Sequence, residues 1–335
     1  MTKIKAVSLV SGGLDSGLAT RIVLGLGIEL AVLNFTGPFC LCNKPGGCKF
    51  EAKNLAQSFG LEFKVVNVFD EFIEIVKNPK HGYGSNLNPC IDCRILMFKT
   101  AKKFMQEIGA SFIVTGEVVG QRPMSQQRHT LRLIEKESGL GGLILRPLSA
   151  KLLPETIPEI NGWVNREKLL SISGRSRKEQ IALVKEFDMG NYPCPSGGCL
   201  LTDPGFSQRM SDLLKYSEVS IEEIKLLKVG RHFRLSPTDK LVVGRDETEN
   251  EVLLKLAKET DFIFMPCEVK GPVALGRGKD FDNGLMDLSG SIVARYCDKA
   301  AEEKVIIKVR QGIQDATQEL VCQSIKEESL NEFRI

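Results

Sequence analysis

The chain has 335 residues, of which 42% are hydrophobic and 26% are charged, and its formal net charge is +3. This length allows two domains, and this composition is typical of a globular protein with a substantial core. The net charge neither requires nor excludes a nucleic acid partner. No apolar run reaches membrane-spanning length and no signal-peptide pattern opens the chain. We therefore expect a cytoplasmic protein without a membrane partner.

The first predicted elements are a strand at residues 4–10 and a helix at residues 14–26. The turn between them reads Ser11-Gly12-Gly13-Leu14-Asp15-Ser16. Adjacent glycines let the backbone approach a ligand closely, and N–H groups at a helix N-terminus favour an anion. The two serines can add hydroxyl donors, and Asp15 can hold Mg²⁺. The alternative is an ordinary glycine turn between a strand and a helix.

The complete motif resembles the PP-loop of the ATP pyrophosphatase family, which cleaves ATP between its α and β phosphates. The resemblance implies that ATP binds at Ser11, Gly12, Gly13, Leu14, Asp15 and Ser16. It also gives Asp15 a catalytic role.

More strands are predicted at residues 29–35, 63–68 and 111–115, with helices near 49–59, 70–77 and 93–108. This alternation predicts an α/β fold with a parallel sheet and helices on both of its faces. Ligands of such sheets bind beyond the carboxyl ends of the strands. Asn34 lies at the end of the second strand. It either contacts the adenine of a bound nucleotide or is an ordinary residue at a strand end.

Seven of the ten cysteines fall into three local groups: Cys40, Cys42 and Cys48; Cys90 and Cys93; Cys194 and Cys199. Without a secretion signal, such groups favour metal, cluster or sulfur chemistry over a disulfide scaffold. The first group is either a soft-metal site or a set of reduced thiols.

Cys90 and Cys93 form a C-x2-C pair at the predicted start of a helix, a position that lowers the pKa of a thiol. A redox disulfide is one interpretation of this pair. A [4Fe–4S] cluster is another, with Cys194 and Cys199 supplying the missing ligands. We favour the cluster over a persulfide on cysteine, because C-x2-C with a distant cysteine is typical of ligand spacing.

The fourth strand leads into a segment that runs from Gly116-Glu117 through Gly120-Gln121 to Ser125-Gln126. This segment, and the Leu145-Arg146-Pro147-Leu148 that follows it, resemble tRNA 4-thiouridine synthases. The cysteine motifs that end at Cys93 and Cys199 resemble those of tRNA 2-thiouridylases. The two families share the PP-loop, and we assign Gly116 and Gln121 to the ATP site.

These resemblances imply an ATP-dependent tRNA sulfurtransferase that adenylates a uridine carbonyl oxygen and replaces it with sulfur. Its catalytic residues would be Asp15, Cys93 and Cys199, with ATP and Mg²⁺ as cofactors. Its partners would be tRNA and a sulfur donor, which is a cysteine desulfurase, a sulfur carrier or free sulfide. Two alternatives are a PP-loop amidotransferase or ligase acting on a small carboxylate, and an RNA-binding protein with a vestigial ATP site.

Basic residues cluster before and within the next predicted helix, which a capping box at Ser176–Glu179 would open. Arg175, Arg177 and Lys178 belong to this cluster, which is either a solvated face or, as we favour, a surface that contacts RNA phosphates. We predict a PP-loop domain at residues 1–190, followed by a connecting segment with cysteines at 191–216.

Residues 217–335 predict a smaller α+β domain with short strands, including the runs Gly290–Ala294 and Val305–Val309. The strings Val229–Arg234 and Val242–Glu251 resemble the RNA-binding domain of the NFACT family. Within these strings, phosphate contacts are expected from Arg231, His232, Arg234 and Arg245. A charged surface strand is the alternative. The last segment, Ser324–Ile335, is predicted to be loosely held.

Overall fold

The computed structural model describes residues 3–39, 47–189, 198–279, 281–298, 304–312 and 317–335. The chain divides into two units, Met1–Thr202 and Asp203–Ile335. The predicted connecting segment at 191–216 is thus shared between the units, since Pro204–Tyr216 is a helix of the second one. Within the described ranges, no helix combines the length and the apolar character that a bilayer crossing requires.

The first unit alternates strands and helices. Its strands are β1 (Lys5–Leu9), β2 (Glu29–Thr36), β3 (Glu62–Asn67), β4 (Phe112–Thr115) and β5 (Ile144–Leu145). Its helices are α1 (Leu14–Leu24), α2 (Gly47–Ser58), α3 (Phe69–Lys77), α4 (Cys90–Glu107), α5 (Arg128–Ser138), α6 (Ile157–Ile160) and α7 (Lys178–Glu186). The strands pair in the order β3-β2-β1-β4-β5, in parallel. This confirms the predicted α/β fold.

Helices cover both faces of this sheet. On one face, Ala6 of β1 packs in a cluster with Leu18 of α1 and Val184 of α7. On the other face, the next residue of β1, Val7, packs in a cluster with Phe98 of α4. Because successive side chains of a strand alternate between faces, one short apolar strand supplies both clusters. The carboxyl ends of the strands remain for the connecting loops that carry the predicted site.

The second unit is an α+β domain. Its helices are α8 (Pro204–Tyr216), α9 (Ile221–Leu226), α10 (Glu247–Leu256), α11 (Asn283–Arg295) and α12 (Glu327–Asn331). Its strands are β6 (Arg231–Arg234), β7 (Lys240–Val243), β8 (Phe262–Pro266), β9 (Ala274–Arg277), β10 (Val305–Gln311) and β11 (Thr317–Cys322). They form an antiparallel sheet in the order β11-β10-β8-β9-β7-β6. Ile292 of α11 packs on one face of this sheet, and Leu253 of α10 packs on the other.

Two sequence predictions for this unit are wrong. Gly290–Ala294 is not a strand but part of α11, which is capped by Asp282 through a 2.8 Å bond from the N–H of Leu285. A short apolar run cannot by itself distinguish a strand from a buried helix. The last segment is also not loosely held, because Leu330 is fully buried and the N–H of Ile335 donates to the carbonyl of His232 at 3.0 Å.

Candidate active site

The loop between β1 and α1 has the geometry of an anion-binding turn. Gly12 has a φ of +79°, a conformation that glycine adopts without steric cost. Gly13 is the N-cap of α1 and offers no side-chain hydrogen bond to the first turn. The Ser16 hydroxyl donates to the carbonyl of Gly13 at 2.9 Å and accepts from the N–H of Ser11 at 3.3 Å. The serines therefore shape the loop, while N–H groups of the first helical turn lack intrahelical acceptors.

Two buried side-chain oxygens at this loop have no hydrogen-bond partner among the described residues. One is Oδ1 of Asp15, and the other is Oδ1 of Asn34. The amide nitrogen of Asn34 donates to the carbonyl of Val10 at 2.7 Å, so this side chain fixes the start of the loop. Carboxylate and amide oxygens are the ligand types that Mg²⁺ takes, so the donor set fits this cation.

The end of β4 presses against the loop. A Cβ built on Gly116 would lie 2.5 Å from the carbonyl carbon of Asp15 and 2.5 Å from the amide nitrogen of Ser16. Only a glycine permits this approach, because the neighbouring atoms belong to the backbone. Gly116 therefore contributes to the predicted ATP site by its lack of a side chain.

Gln121 reaches Asp15 from the segment that follows β4. Its Nε2 donates to Oδ2 of Asp15 at 2.7 Å. Its Oε1 accepts from Nε2 of Gln180 at 3.3 Å. Gln180 lies in α7, is fully buried, and was missed by the sequence reasoning. A polar residue four positions before the buried Val184 was the available signal, because the two positions share one face of the helix.

Cys90 and Cys93 occupy the first turn of α4, and both are partly exposed. The structure also brings Cys199 to this region. The N–H of Leu200 donates to the carbonyl of Phe39, three residues after the end of β2, at 2.8 Å. The carbonyl of Thr202 accepts from the Asn86 side chain at 2.8 Å, in the loop that precedes α4.

The Cys93 thiol has a pKa raised to about 12, chiefly by burial and further by Cys90 and Cys199, while Arg94 and Arg122 act in the opposite direction. The sequence predicted a lowered pKa, and for Cys93 this prediction is wrong, because burial raises the pKa more than the two neighbouring guanidinium groups lower it. Cys93 therefore lies near the thiols of Cys90 and Cys199 and near the guanidinium groups of Arg94 and Arg122.

The structure does not describe the side chains of the other predicted thiols. Cys40, Cys42 and Cys194 lie outside the described residues, and Cys48 belongs to α2 without a described side chain. Within the described part of the chain, no three His, Cys, Asp or Glu side chains come together as a metal-binding group.

The segment from Gly116 to Gln126 contacts the PP-loop through Gln121 and contacts Arg94, the neighbour of Cys93, through Glu117. Glu117 is almost fully buried and pairs with Arg94 at 2.8 Å and with Arg146 at 3.0 Å. Burial opposes the charge of Glu117, but the two arginines outweigh it and hold the pKa of this carboxyl below its usual value. Farther along, the sulfur of Met124 lies 2.5 Å from the place where a Cβ of Gly84 would be, in the loop before Cys90.

The basic residues before α7 are largely open to solvent. Arg175 and Lys178 are exposed, and Arg177 is half-buried. The predicted capping box does not form. The N-cap is Arg177, and the Ser176 hydroxyl accepts from the N–H of Lys178 at 3.4 Å instead.

The predicted RNA contacts of the second unit all have partners within that unit. Arg231 donates to the carbonyl of Gly244 at 3.0 Å, Arg234 donates to Asp212 at 3.1 Å, and Arg245 donates to Glu249 at 2.9 Å. His232 is buried and bonded to the carbonyl of Val229 at 2.9 Å, so it cannot reach a phosphate from this position. Phosphate binding by the three arginines stays a prediction.

Residues 1–154 match the family described as "Thiamine biosynthesis protein (ThiI)". This match covers 154 of the 335 residues, which is less than half of the chain. Residues 230–334 match the "NFACT protein RNA binding domain", in agreement with the resemblance seen in the sequence. Two family models thus cover different parts of the chain, one in each unit.

Two curated relatives are similar to parts of this chain. The chain is similar to the tRNA sulfurtransferase of Photorhabdus laumondii, with 32% identity over 152 residues that cover 44% of this chain and 29% of that protein. It is similar to the tRNA sulfurtransferase of Sodalis glossinidius, with 31% identity over 280 residues that cover 69% of this chain and 56% of that protein. The chain thus spans 29% to 56% of the length of these two relatives.

Among solved structures, a 4-thiouridine synthetase in complex with RNA and bound ATP is similar to this chain at 22% sequence identity. The match covers 55% of this chain and 51% of that chain, with a TM-score of 0.36.

Proposed function

We propose that this protein is an ATP-dependent tRNA sulfurtransferase that replaces a uridine carbonyl oxygen with sulfur. The observation that carries the proposal is the double contact of one segment. Gln121 bonds Asp15 of the PP-loop at 2.7 Å, and Glu117 of the same segment bonds Arg94, the neighbour of Cys93. A site that activates a substrate with ATP and then delivers sulfur needs these two groups side by side. The similarity to proteins named tRNA sulfurtransferase supports the same chemistry.

The activation step follows from the loop. A uridine carbonyl oxygen is a poor leaving group, so it attacks the α-phosphorus of ATP and becomes an AMP ester while pyrophosphate departs. The first turn of α1 and the backbone at Gly12 and Gly13 would hold the phosphates through N–H groups. Asp15 and Asn34 would hold Mg²⁺ through their partnerless oxygens. Mg²⁺ held by these oxygens would supply positive charge to offset that of the departing pyrophosphate.

The sulfur step follows from the thiols. A persulfide on Cys93 attacks the activated carbon through its terminal sulfur, and AMP leaves with the former carbonyl oxygen. The Cys199 thiolate then attacks Sγ of Cys93, which releases the thiouridine and forms a Cys93–Cys199 disulfide. A thiol reductant restores both cysteines, and a cysteine desulfurase or a sulfur carrier supplies the next persulfide.

The sequence also predicts a [4Fe–4S] cluster on Cys90, Cys93, Cys194 and Cys199. The described thiols do not form a metal-binding group on their own. Cys194 lies outside the described residues, and the sulfur step above involves the described thiols only. Iron and labile sulfide, measured after anaerobic purification and reconstitution, test the cluster independently of activity.

For the RNA substrate we propose two surfaces. The second unit carries the NFACT-type RNA-binding domain, with Arg231, Arg234 and Arg245 as candidate contacts. Arg175, Arg177 and Lys178 would contact phosphates near the ATP site. The cytoplasm, where tRNA and sulfur donors meet, is the proposed compartment.

The test separates the two half-reactions. Asp15→Ala should abolish tRNA-dependent release of AMP and pyrophosphate, because it removes a ligand of the activating site. Cys93→Ala should leave tRNA adenylation intact but stop thionucleoside formation, measured by mass spectrometry of digested tRNA. Cys267→Ala is the matched control, since Cys267 is an exposed thiol of the second unit. Normal thiolation by Cys93→Ala would refute the role of this cysteine.

The same assay distinguishes the alternatives. A PP-loop ligase would release AMP with a small carboxylate and without tRNA. An RNA-binding protein with a vestigial ATP site would release no AMP under either condition.

A further inference from the structure

A cavity of about 220 Å³ lies in the first unit between α5, the end of β5 and the segment around α6. It is lined by three arginines: Arg128, Arg132 and Arg146. Its volume is below the roughly 300–1,000 Å³ of pockets for drug-sized ligands, so a small ligand or a single group of a larger one fits it better. No role in the proposed activation or sulfur steps falls to this cavity.

The glutamate carboxylates that line the cavity already have cationic partners. Glu159 is buried and accepts from the Thr156 hydroxyl at 2.6 Å and from Arg166 at 2.5 Å. Glu155 lies 3.9 Å from the Arg166 guanidinium, and Glu135 pairs with Arg146. None of these carboxylates is left without a cation.

The cavity is lined by three arginines and three glutamates, but two of the arginines are not paired with any of these carboxylates. Arg128 and Arg132 are exposed, lie one helical turn apart on α5, and have no hydrogen-bond or ion-pair partner among the described residues. Arg146 is 3% exposed, and its Nη2 is buried without a partner among those residues. The other nitrogens of Arg146 bind Glu117 and Glu135, so Nη2 is the donor of this side chain that remains for a ligand.

We propose that this cavity binds a phosphate group, with Arg128 and Arg132 as charged walls and Arg146 as a donor in its floor. Guanidinium groups bind phosphate oxygens through paired N–H donors, and an arginine whose orientation is fixed by two carboxylates is preorganised for this role. The group can come from the RNA backbone or from free phosphate. The proposal concerns binding, and it stands whether or not the proposed thiolation proves correct.

The test uses the double variant Arg128→Gln/Arg132→Gln in the full chain, with a saturating non-hydrolysable ATP analogue to fill the PP-loop. The matched control is Lys99→Gln/Lys136→Gln, which removes the same charge from exposed positions of α4 and α5 outside the cavity. Equal thermal melting of the variants and the wild type establishes that all three chains are folded.

Inorganic phosphate binding is measured by equilibrium dialysis, and tRNA binding is measured by filter binding over a salt series. We expect the arginine variant to lose at least about tenfold in phosphate affinity, since each bidentate pair with a charged group contributes strongly. Weaker tRNA binding, with a salt slope reduced by about 2, would identify the RNA backbone as the source. Unchanged tRNA binding beside lost phosphate binding would identify free phosphate.

Two results would overturn the proposal. One is an arginine variant that binds both phosphate and tRNA as the wild type does. The other is a lysine control that loses as much affinity as the arginine variant, because the effect would then be general electrostatics rather than a site.

Discussion

Gly116→Ala is the substitution that most directly tests the packing of β4 against the PP-loop. The φ of Gly116 is not in the left-handed region, so alanine meets no backbone strain there. The only obstacle is that there is no space for a methyl group between Gly116 and the PP-loop backbone. The new methyl group would lie 2.5 Å from the backbone of Asp15 and Ser16, whereas ordinary contact begins at 3.4 Å.

The backbone of β4 and the PP-loop must therefore separate by about 1 Å, a misplacement that can reduce a reaction rate roughly 100-fold. We expect this loss in kcat/KM for AMP release, together with weaker binding of an ATP analogue. Overpacking of this kind also lowers the free energy of unfolding by about 1–3 kcal/mol.

The matched control is Gly141→Ala. Gly141 also has no left-handed φ, and a Cβ built there has nothing within 4 Å. We expect unchanged activity, and a free energy of unfolding that is equal or higher by up to about 1 kcal/mol, because alanine restricts the unfolded chain.

Calorimetric binding of the analogue, steady-state AMP release and urea unfolding measure the three quantities for both variants. If the folded Gly116→Ala protein bound the analogue and released AMP within about threefold of the wild type, the close approach of β4 would not be what positions the loop for reaction.

Two further predictions concern buried titratable side chains, Glu117 and His232. Glu117→Gln should lower the free energy of unfolding by about 3–5 kcal/mol in urea, because it leaves Arg94 and Arg146 without their shared carboxylate. Glu107→Gln, which removes an exposed partner of Lys64, should change it little. Equal losses in both variants would contradict this. Burial lowers the pKa of His232 to about 3. The unfolded chain then binds a proton near pH 6.5 that the folded chain does not, so stability falls as the pH falls towards 3, by up to about 1.4 kcal/mol per pH unit. His232→Gln should show a shallower pH dependence of urea unfolding, and parallel curves would exclude the effect.

The parts of the fold that follow from local pattern were predictable. The strand, glycine turn and helix around Gly12 are encoded within about 20 residues, and the alternation of strands and helices determines a parallel sheet. The run Gly290–Ala294 was predicted wrongly because its helical state depends on Asp282 at the cap and on burial against β-strands distant in sequence.

The candidate site also contains residues that sequence motifs predict and residues whose role depends on tertiary packing. Gln121 and Asp15 belong to motifs that the sequence displays, although 106 positions separate them. Gln180 could not be assigned, because its function as a partner of Gln121 exists only once α7 packs on the sheet. The direction of the Cys93 pKa was missed for a related reason, since the degree of burial is a property of the folded chain.

The segment after β4 is anchored at two points, Glu117 and Gln121. Glu117 is held from two sides, by Arg94 of α4 and by Arg146 after β5. Four residues later, Gln121 is held between Asp15 and Gln180. Preorganised groups of this kind do not need to reorganise when charge develops in a reaction. Under the proposed function, this segment fixes the position of Asp15, where the carbonyl is activated, relative to Arg94, the neighbour of the sulfur-bearing Cys93.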